Sequence, residues 1–195
     1  MPMRTFFWSL LIALGTIPAS QSVIAAQSNP PFVSRDEVRV TKEFQSRIKA
    51  FIQLENQLEH MLPGLKTTRN ESEILEHQLA LRKMVVDARR QARRGDIFTK
   101  DISRYFRAVI GEVLRSPAAP VIQRTIDGKE PSKPVVVRVN GVFPDDAPVQ
   151  TTPPMLLMRL PMLPMELSYR FVGHDLVLLD NKTNLIVDFI PDILP

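Results

Sequence analysis

The densest group of charged side chains is a run of arginines near the middle of the chain. Residues 87–96 read DARRQARRGD, with Arg89 and Arg93, and Arg90 and Arg94, spaced four residues apart. On a helix such pairs share a face, which favours a cationic surface for an anionic lipid head group, a glycan or an acidic partner. The alternative is a solvated helix end, where the helix dipole stabilises cations. Aromatic residues that could stack bases do not interleave with these arginines, so nucleic acid is disfavoured.

Four methionines recur at steps of three to four residues in a proline-rich segment, at Met155, Met158, Met162 and Met165. Thioethers bind Cu(I), so a copper site is one interpretation. However, Pro161 and Pro164 interrupt any regular helix through the methionines, and histidines do not flank them. The pattern therefore favours adaptable methionines that line a groove or fill a gap.

Histidines and glutamates on the first two predicted helices are the other candidate metal ligands: His60, His77, Glu55, Glu59, Glu73 and Glu76. A carboxylate-bridged metal site in a helical bundle uses a Glu three residues before a His, which puts both ligands on one face. Neither histidine has a Glu at that position. We therefore expect no metal, and we expect a surface contact between His60 and Glu73 near the turn between the helices.

The sequence lacks the signatures of the common catalytic families. It contains no cysteine, which excludes disulfides, thiolate metal sites and a cysteine nucleophile. A nucleophile elbow, a zinc-protease motif, a P-loop and a dinucleotide-binding glycine run are also missing. We therefore predict no catalytic residues and no cofactor. Two carboxylates could still meet in the fold and perform acid–base chemistry, so a hydrolase stays open.

The first 26 residues have the layout of a secretory signal peptide. Arg4 is the only charge, an apolar run occupies residues 6–14, and small residues precede Gln27. The apolar run is about half as long as a membrane-spanning helix. We therefore predict a Sec-type signal peptide over residues 1–26, no later transmembrane segment, and a periplasmic or secreted mature chain. An exported chain without cysteine is typical of a bacterial envelope.

Proline and charge divide the mature chain into two parts with different composition. Residues 33–115 contain one proline, whereas twelve follow Ser116. Residues 35–115 carry a net charge of +5, and residues 116–195 carry −2. The change predicts two structural units, over residues 27–116 and 117–195.

The first unit reads as three helices, over residues 34–62, 70–95 and 99–116. Ser34 and Glu37 form a capping box at the first start, and Asn70 with Glu73 repeats the signal at the second. The first helix has an apolar stripe at three- and four-residue steps, which Glu55 interrupts. The short connections make consecutive helices antiparallel neighbours, so we expect a helical hairpin with a third helix packed on it.

The second unit reads as β structure. Residues 121–126 and 135–139 are rich in β-branched side chains, and residues 166–190 read as a three-stranded meander of 166–172, 175–180 and 185–190. A two-residue turn at Gly173-His174 places Phe171 opposite Leu176, and the loop 181–184 places Leu178 opposite Val187.

On this register one face of the meander is almost entirely apolar, and it comprises Leu167, Tyr169, Phe171, Leu176, Leu178, Leu185, Val187 and Phe189. Asp180 is the only polar residue on that face. The helices must cover it, which predicts an α+β fold. The other face carries Arg170 and Asp188, for which we predict a structural ion pair, or alternatively an anion-binding role for Arg170.

The last 35 residues resemble the C-terminus of uncharacterised exported proteins from Gram-negative bacteria. The resemblance rests on a Tyr-Arg-Phe strand, a Leu-x-Leu-x-Asp strand and an Ile-Val-Asp-Phe strand, at Tyr169, Arg170, Phe171, Leu176, Leu178, Asp180, Ile186, Val187, Asp188 and Phe189. The resemblance implies export and the fold of the tail, and it brings no activity or ligand.

These observations favour an exported, non-enzymatic envelope protein that binds a partner protein or an anionic envelope component. The candidate binding residues are Arg89, Arg90, Arg93, Arg94 and Arg170. The alternatives are a hydrolase and a periplasmic holdase chaperone. A hydrolase should show a pocket where titratable groups converge with shifted pKa values, and a holdase should be an oligomer with an apolar lining. The sequence does not determine the oligomeric state.

Overall fold

The chain folds as a helical part followed by a small antiparallel sheet, in the order of the α+β prediction. A computed structural model describes residues 34–65, 69–117, 119–127, 135–144 and 152–194. Its helices are α1 (Arg35–Glu59), α2 (Glu71–Ala88), α3 (Lys100–Leu114), α4 (Ala119–Asp127) and α5 (Pro154–Leu157). Its strands are β1 (Leu167–Val172), β2 (Asp175–Asp180) and β3 (Ile186–Ile190), in the order β1-β2-β3. The predicted signal peptide lies outside the described residues.

The helix starts follow the capping signals of the sequence. The Ser34 hydroxyl accepts a hydrogen bond from the Glu37 amide at 3.1 Å, and the Asn70 side chain accepts one from Ser72 at 3.1 Å. These side chains satisfy amides that the first helical turn leaves without partners. The predicted extension of α2 to Gly95 is wrong: after Ala88 the amides of Arg90 and Ala92 make local turn bonds, and the Gly95 amide bonds to Asp188 of the sheet. Within the described part of the chain, no helix is long and apolar enough to cross a bilayer.

One hydrophobic core joins the helices to the sheet. Phe171, Leu178 and Val187 from the three strands are buried in the same cluster as Phe44 of α1 and Phe106 of α3. Phe44 and Phe106 pack edge to face with ring centroids 5.2 Å apart. The predicted cover of the apolar face by the helices is therefore confirmed. The composition change near residue 116 does not interrupt this packing, because residues from both sides contribute to one core.

The hairpin between β1 and β2 has the predicted register. Tyr169 lies opposite Leu178, and Phe171 lies opposite Leu176. Gly173 has a φ of +55°, a left-handed conformation that favours glycine and that the tight turn requires.

The predicted register between β2 and β3 holds where Leu179 lies opposite Ile186 and is wrong by one residue beyond that pair. Leu178 lies opposite Asp188 instead of Val187. Val187 is therefore an extra residue in the ladder, which is the definition of a β-bulge. Because of the bulge, Val187 and Asp188 both face the helices: Val187 belongs to the helix-facing core, and Asp188 bonds to the loop before α3.

The second face of the sheet is covered by the chain segment before the methionines. Val135, Val137, Phe143 and Phe189 pack against a small buried cluster that includes Val177. Phe189, predicted on the helix-facing side, lies here because the bulge shifts the alternation. The predicted strand at 135–139 is also wrong: the hydrogen bonds to the edge of β3 come from residues 140–143, which include an amide-to-carbonyl bond of 2.8 Å from Phe143 to Asn184.

The predicted strand at 121–126 is a helix, α4. Pro120 lies in its first turn, where a helix tolerates a residue without an amide proton. Ile122 is buried in the core, whereas Val121 is exposed, so the segment is amphipathic with a helical period. Each β-branched residue lowers helix stability by only tenths of a kcal/mol, so packing decides the conformation.

Candidate functional site

Arg89, the first of the predicted binding arginines, points into the protein. Its guanidinium donates hydrogen bonds to the Val187 carbonyl oxygen at 2.9 Å and to the Asn140 side-chain oxygen at 3.1 Å. It also lies over the Phe51 ring, 5.1 Å from the centroid. Burial lowers the pKa of Arg89, and the charge of Asp188 opposes that effect. These contacts join the end of α2 to the sheet, which is a structural role.

Arg90, Arg93 and Arg94 are exposed but do not form the predicted helical pairs, because α2 ends at Ala88. Arg90 pairs with Asp87 of α2 at 3.0 Å. The Arg94 guanidinium lies 5.8 Å from the centroid of the Phe189 ring. The three side chains therefore offer cations along a loop, without the shared face that the spacing indicated.

Arg170 and Asp188 lie on opposite faces of the sheet. Arg170 neighbours Val177 on the second face, whereas the bulge turns Asp188 towards the helices. The Asp188 carboxylate accepts hydrogen bonds from the amides of Gly95, Ile97 and Phe98 at 2.8–3.1 Å. The alternation that placed the two side chains together, and with it the basis of the predicted ion pair, is lost at the bulge. Burial lowers the pKa of Arg170.

Other helix arginines also bind backbone carbonyl groups far away in the chain. Arg82 of α2 donates to the Thr183 carbonyl oxygen at 2.6 Å, and Arg107 of α3 donates to Asp192 at 2.6 Å. Arg47 of α1 donates to the Asp96 carbonyl oxygen at 2.6 Å. Much of the positive charge of the helical part therefore serves to attach helices to turns.

The two polar residues that interrupt apolar faces in the sequence lie together in the structure. Glu55 interrupts the stripe of α1, and Asp180 interrupts the apolar face of the meander; both side chains are 0% exposed. Neither Glu55 oxygen has a hydrogen-bond partner among the described residues. Burial raises the pKa of Glu55 from 4.5 to about 8, and the charge of Asp180 adds to this effect. We call Glu55, Asp180 and the neighbouring Lys182 the carboxyl cluster.

Asp180 is better satisfied than Glu55. Its carboxylate accepts a short hydrogen bond from the Thr183 hydroxyl, and bonds from the amides of Lys182 at 2.9 Å and Thr183 at 3.4 Å. These donors come from the turn that follows β2, so Asp180 holds that turn together.

The Lys182 ammonium lies between three side chains of α1. It donates to Glu59 at 2.8 Å and to Asn56 at 3.2 Å, and it lies 3.7 Å from Glu55. Burial acts to lower the pKa of Lys182, but the hydrogen bond to Glu59 and the charges of Glu55 and Glu59 outweigh it, and the pKa is raised. Lys182 thus fastens the β2–β3 turn to α1.

The helix-hairpin histidines do not make the predicted contact. His77 Nε2 lies 3.9 Å from a Glu59 oxygen, whereas the His60 ring nitrogen bonds to the Asn56 carbonyl oxygen at 2.5 Å. The prediction paired His60 with Glu73, which instead accepts a bond from Asn70 in the cap of α2. Over the described ranges, no three His, Asp or Glu side chains are arranged to hold a metal.

Three of the four methionines of the segment 155–165 project almost fully into solvent. Met158, Met162 and Met165 are 84%, 86% and 93% exposed. Met155 is half exposed. We call Met155, Met158, Met162 and Met165 the methionine face. Such exposure is typical of side chains that line an open surface, the predicted alternative to an enclosed copper site.

The segment that carries the methionine face is firmly held. Leu156 and Leu160 point the other way and are buried in the main core. The Tyr169 hydroxyl donates to the Pro161 carbonyl oxygen at 2.9 Å, and the side chain of Gln45 donates to the Met162 carbonyl oxygen at 2.7 Å. The methionines therefore stand on an anchored backbone.

An apolar groove of about 670 Å³ runs between α1 and this segment. Ile48 and Ile52 of α1 line one side, and Leu163 and Pro164 line the other. Its rim carries both charge signs, since Lys49 and Glu166 also belong to the lining. Met162 is the residue of the methionine face that lines the groove.

The sequence pattern identified only part of these sites. The methionine spacing indicated side chains that line a groove or fill a gap, and of the four methionines Met162 lines the groove beside α1. The carboxyl cluster was missed, although its signal was present as two acidic residues on faces that had to be buried. Comparison with family models, curated proteins and solved structures finds no match to this chain.

Proposed function

We propose that this chain is an exported, non-enzymatic protein of the bacterial envelope whose methionine face binds an apolar segment of a partner protein. One observation carries the proposal: along one anchored segment all four methionines are at least half exposed, whereas Leu156 and Leu160 beside them are buried and Leu157 is 44% exposed. Leu156 and Leu160 are buried, whereas Met158 and Met162 are exposed, although the two residue types are similarly apolar.

The cost of exposing methionine side chains to water favours a surface that a partner covers when the protein functions. Burying one methionine side chain contributes about 1.5–3 kcal/mol relative to leaving it in water. Contiguous exposed apolar surface marks interaction sites in soluble proteins. Methionine is unbranched and polarisable, so it adapts to partner side chains of different shape. The groove beside Met162 supplies a concave surface of about 670 Å³ for a side chain of the partner.

The alternatives have less support. An anionic envelope component would need converging cations, whereas Arg89 is used inside the protein and Arg90 is paired with Asp87. A hydrolase would need an accessible acid–base pair, whereas Glu55 and Asp180 have no exposed surface. A holdase would use the same methionines, and it differs from our proposal in binding unfolded chains without selectivity.

Export is part of the proposal and is supported by the sequence alone. The N-terminal charge, apolar run and small residues match a signal peptide, and the C-terminal strands resemble exported proteins of Gram-negative bacteria.

The test compares two sets of methionine substitutions in the full chain. Met158→Ser, Met162→Ser and Met165→Ser together should abolish capture of the partner from a native envelope extract. Met61→Ser is the matched control, because Met61 is 72% exposed but lies beyond the end of α1. Equal capture by the triple variant and the wild type would overturn the proposal. Equal recovery of chemically unfolded proteins would assign the face to a holdase instead.

A further inference from the structure

We infer that the buried contact between α1 and the β2–β3 turn, where Glu55 meets Asp180, is a latch that stays closed only while this carboxyl pair keeps one proton. This latch goes beyond the proposed function, and its test needs no partner. It rests on the geometry of the carboxyl cluster, in which one acid comes from a helix and the other from the end of a strand.

Both carboxyl groups of the latch are buried. Glu55 and Asp180 are both 0% exposed. Two adjacent carboxylates in an apolar environment cannot both ionise without strong compensation, because each charge loses hydration and repels the other. The available cation, Lys182, lies 2.8 Å from Glu59 but 3.7 Å from Glu55, so it compensates Glu55 incompletely.

The hydrogen bonds of the two carboxyl groups indicate that Glu55 holds the proton. Asp180 accepts hydrogen bonds from the Thr183 hydroxyl and from the amides of Lys182 and Thr183, so donors already satisfy its oxygens. Glu55 has no such donors among the described residues. The pKa of Glu55, raised to about 8 chiefly by burial, agrees with a protonated Glu55 at neutral pH.

The other charged groups around the cluster come from every element packed on it. Glu59 of α1 and Glu166 before β1 compete with Glu55 for Lys182. From α2, His77 faces Glu59 at 3.9 Å, Arg82 holds the Thr183 carbonyl oxygen, and Arg89 contributes its charge near Asp180. His77 is the histidine among these groups, so the experiment includes a His77 control.

Opening of the latch would affect the methionine face through Asn181. Asn181, between Asp180 and Lys182, donates from its amide to the Glu166 carbonyl oxygen at 2.7 Å and from its side chain to the Met165 carbonyl oxygen at 2.8 Å. Ionisation of Glu55 would therefore loosen both the C-terminal half of α1 and the backbone that supports Met165.

The test is amide hydrogen exchange of the full chain at pH 6 and pH 9, corrected for the intrinsic dependence of exchange on pH. In the wild type, protection of the C-terminal half of α1 and of residues 180–184 should fall about a hundredfold between pH 6 and pH 9, because the opening equilibrium changes tenfold per pH unit up to the folded-state pKa of Glu55, about 8. Glu55→Gln, which keeps the side chain neutral, should remove this fall. His77→Gln should retain it.

Two results would overturn the latch: wild-type protection that is equal at both pH values, or an equal fall in Glu55→Gln. If Glu55→Gln does not fold, carbon-13 NMR titration of the Glu55 carboxyl in the wild type replaces it. A midpoint above pH 7 supports the latch, and a midpoint below pH 5 contradicts it.

Discussion

The carboxyl cluster and the methionine face depart from the usual placement of side chains in opposite directions. In the cluster, the acids Glu55 and Asp180 lie inside; on the face, apolar residues such as Met162 lie outside. The fold itself accounts for the buried acids, since a proton, Lys182 and the turn amides compensate them. Within the described residues the exposed methionines have no comparable compensation, and we propose contact with another molecule as their explanation. The difference separates an internal structural device from a surface for recognition.

The buried acids themselves differ in how well they are satisfied. Asp188 accepts bonds from the amides of the loop before α3, whereas Glu55 has no hydrogen-bond partner among the described residues. Both lie at the boundary between helices and sheet. Asp188 therefore holds the loop before α3 on the sheet, a contact that we call the clamp. The contribution of Glu55 to the free energy of unfolding depends instead on its protonation state.

The largest effect should come from breaking the clamp. Asp188→Ala leaves the buried amides of Ile97 and Phe98 without acceptors, and we expect a loss of roughly 4 kcal/mol in the free energy of unfolding. Asp188→Asn keeps one oxygen acceptor and should lose less. Urea denaturation measures both, and equal stability of Asp188→Ala and the wild type would contradict this role.

The second prediction compares the two sides of the methionine segment. Leu156→Ala creates a cavity in the core and should lower the free energy of unfolding by about 3 kcal/mol. Met158→Ala removes an exposed side chain and should change it by less than about 0.5 kcal/mol. Denaturation of the two variants under identical conditions provides the check. A similar loss in both would show that Met158 packs inside the protein.

The third prediction concerns the pH dependence of stability. The unfolded chain releases the Glu55 proton near pH 4.5, whereas the folded protein retains it to about pH 8. Between these values the folded state holds the extra proton, so the free energy of unfolding falls as pH rises, by at most about 1.4 kcal/mol per pH unit. The contribution of Glu55 to stability is therefore fully present below pH 4.5, and the fall in the free energy of unfolding levels off above pH 8.

Glu55→Gln should lack this contribution. The difference in urea midpoint between Glu55→Gln and the wild type at each pH isolates it from the other titrating groups. The variant should therefore gain relative stability between pH 5 and pH 8. A constant difference over that range would show that Glu55 ionises normally in the folded state.

The smallest effect separates the arginines of the predicted binding cluster. Arg89→Met keeps the packing of the stem but removes the bonds to Val187 and Asn140, and it should cost about 1–2 kcal/mol. Arg90→Met, the exposed control, should cost less than about 0.5 kcal/mol. Thermal denaturation distinguishes them, and the reverse order would restore Arg89 to the surface role that the sequence suggested.

Local patterns predicted the elements better than their contacts. The caps of α1 and α2 and the β1–β2 hairpin follow from signals within a few residues, so the sequence was sufficient for them. The β-bulge at Val187 shifts the register by one residue, and the regular alternation of 185–190 carries no sign of it. The prediction of a strand at 121–126 was wrong because the β propensity of its branched residues stabilises less than the burial of Ile122 in the helix.

The contact between Glu55 and Asp180 could not be derived from the sequence for a different reason. Each acid stands out on its own apolar face, but their proximity depends on how α1 lies across β2. That placement is set by the packing of the whole core, including Phe44 and Leu178. Two polar residues on buried faces therefore indicated that partners had to exist, without identifying them.

Position-resolved photocrosslinking in living cells tests the central claim most directly. A photoreactive side chain replaces Met162 on the methionine face or, in a separate variant, the exposed Met61 beyond α1. If the methionine face binds a partner, we expect one discrete crosslinked protein at position 162 and none at position 61. Crosslinks of equal yield at both positions, or at position 61 alone, would contradict the assignment of the methionine face as the binding surface.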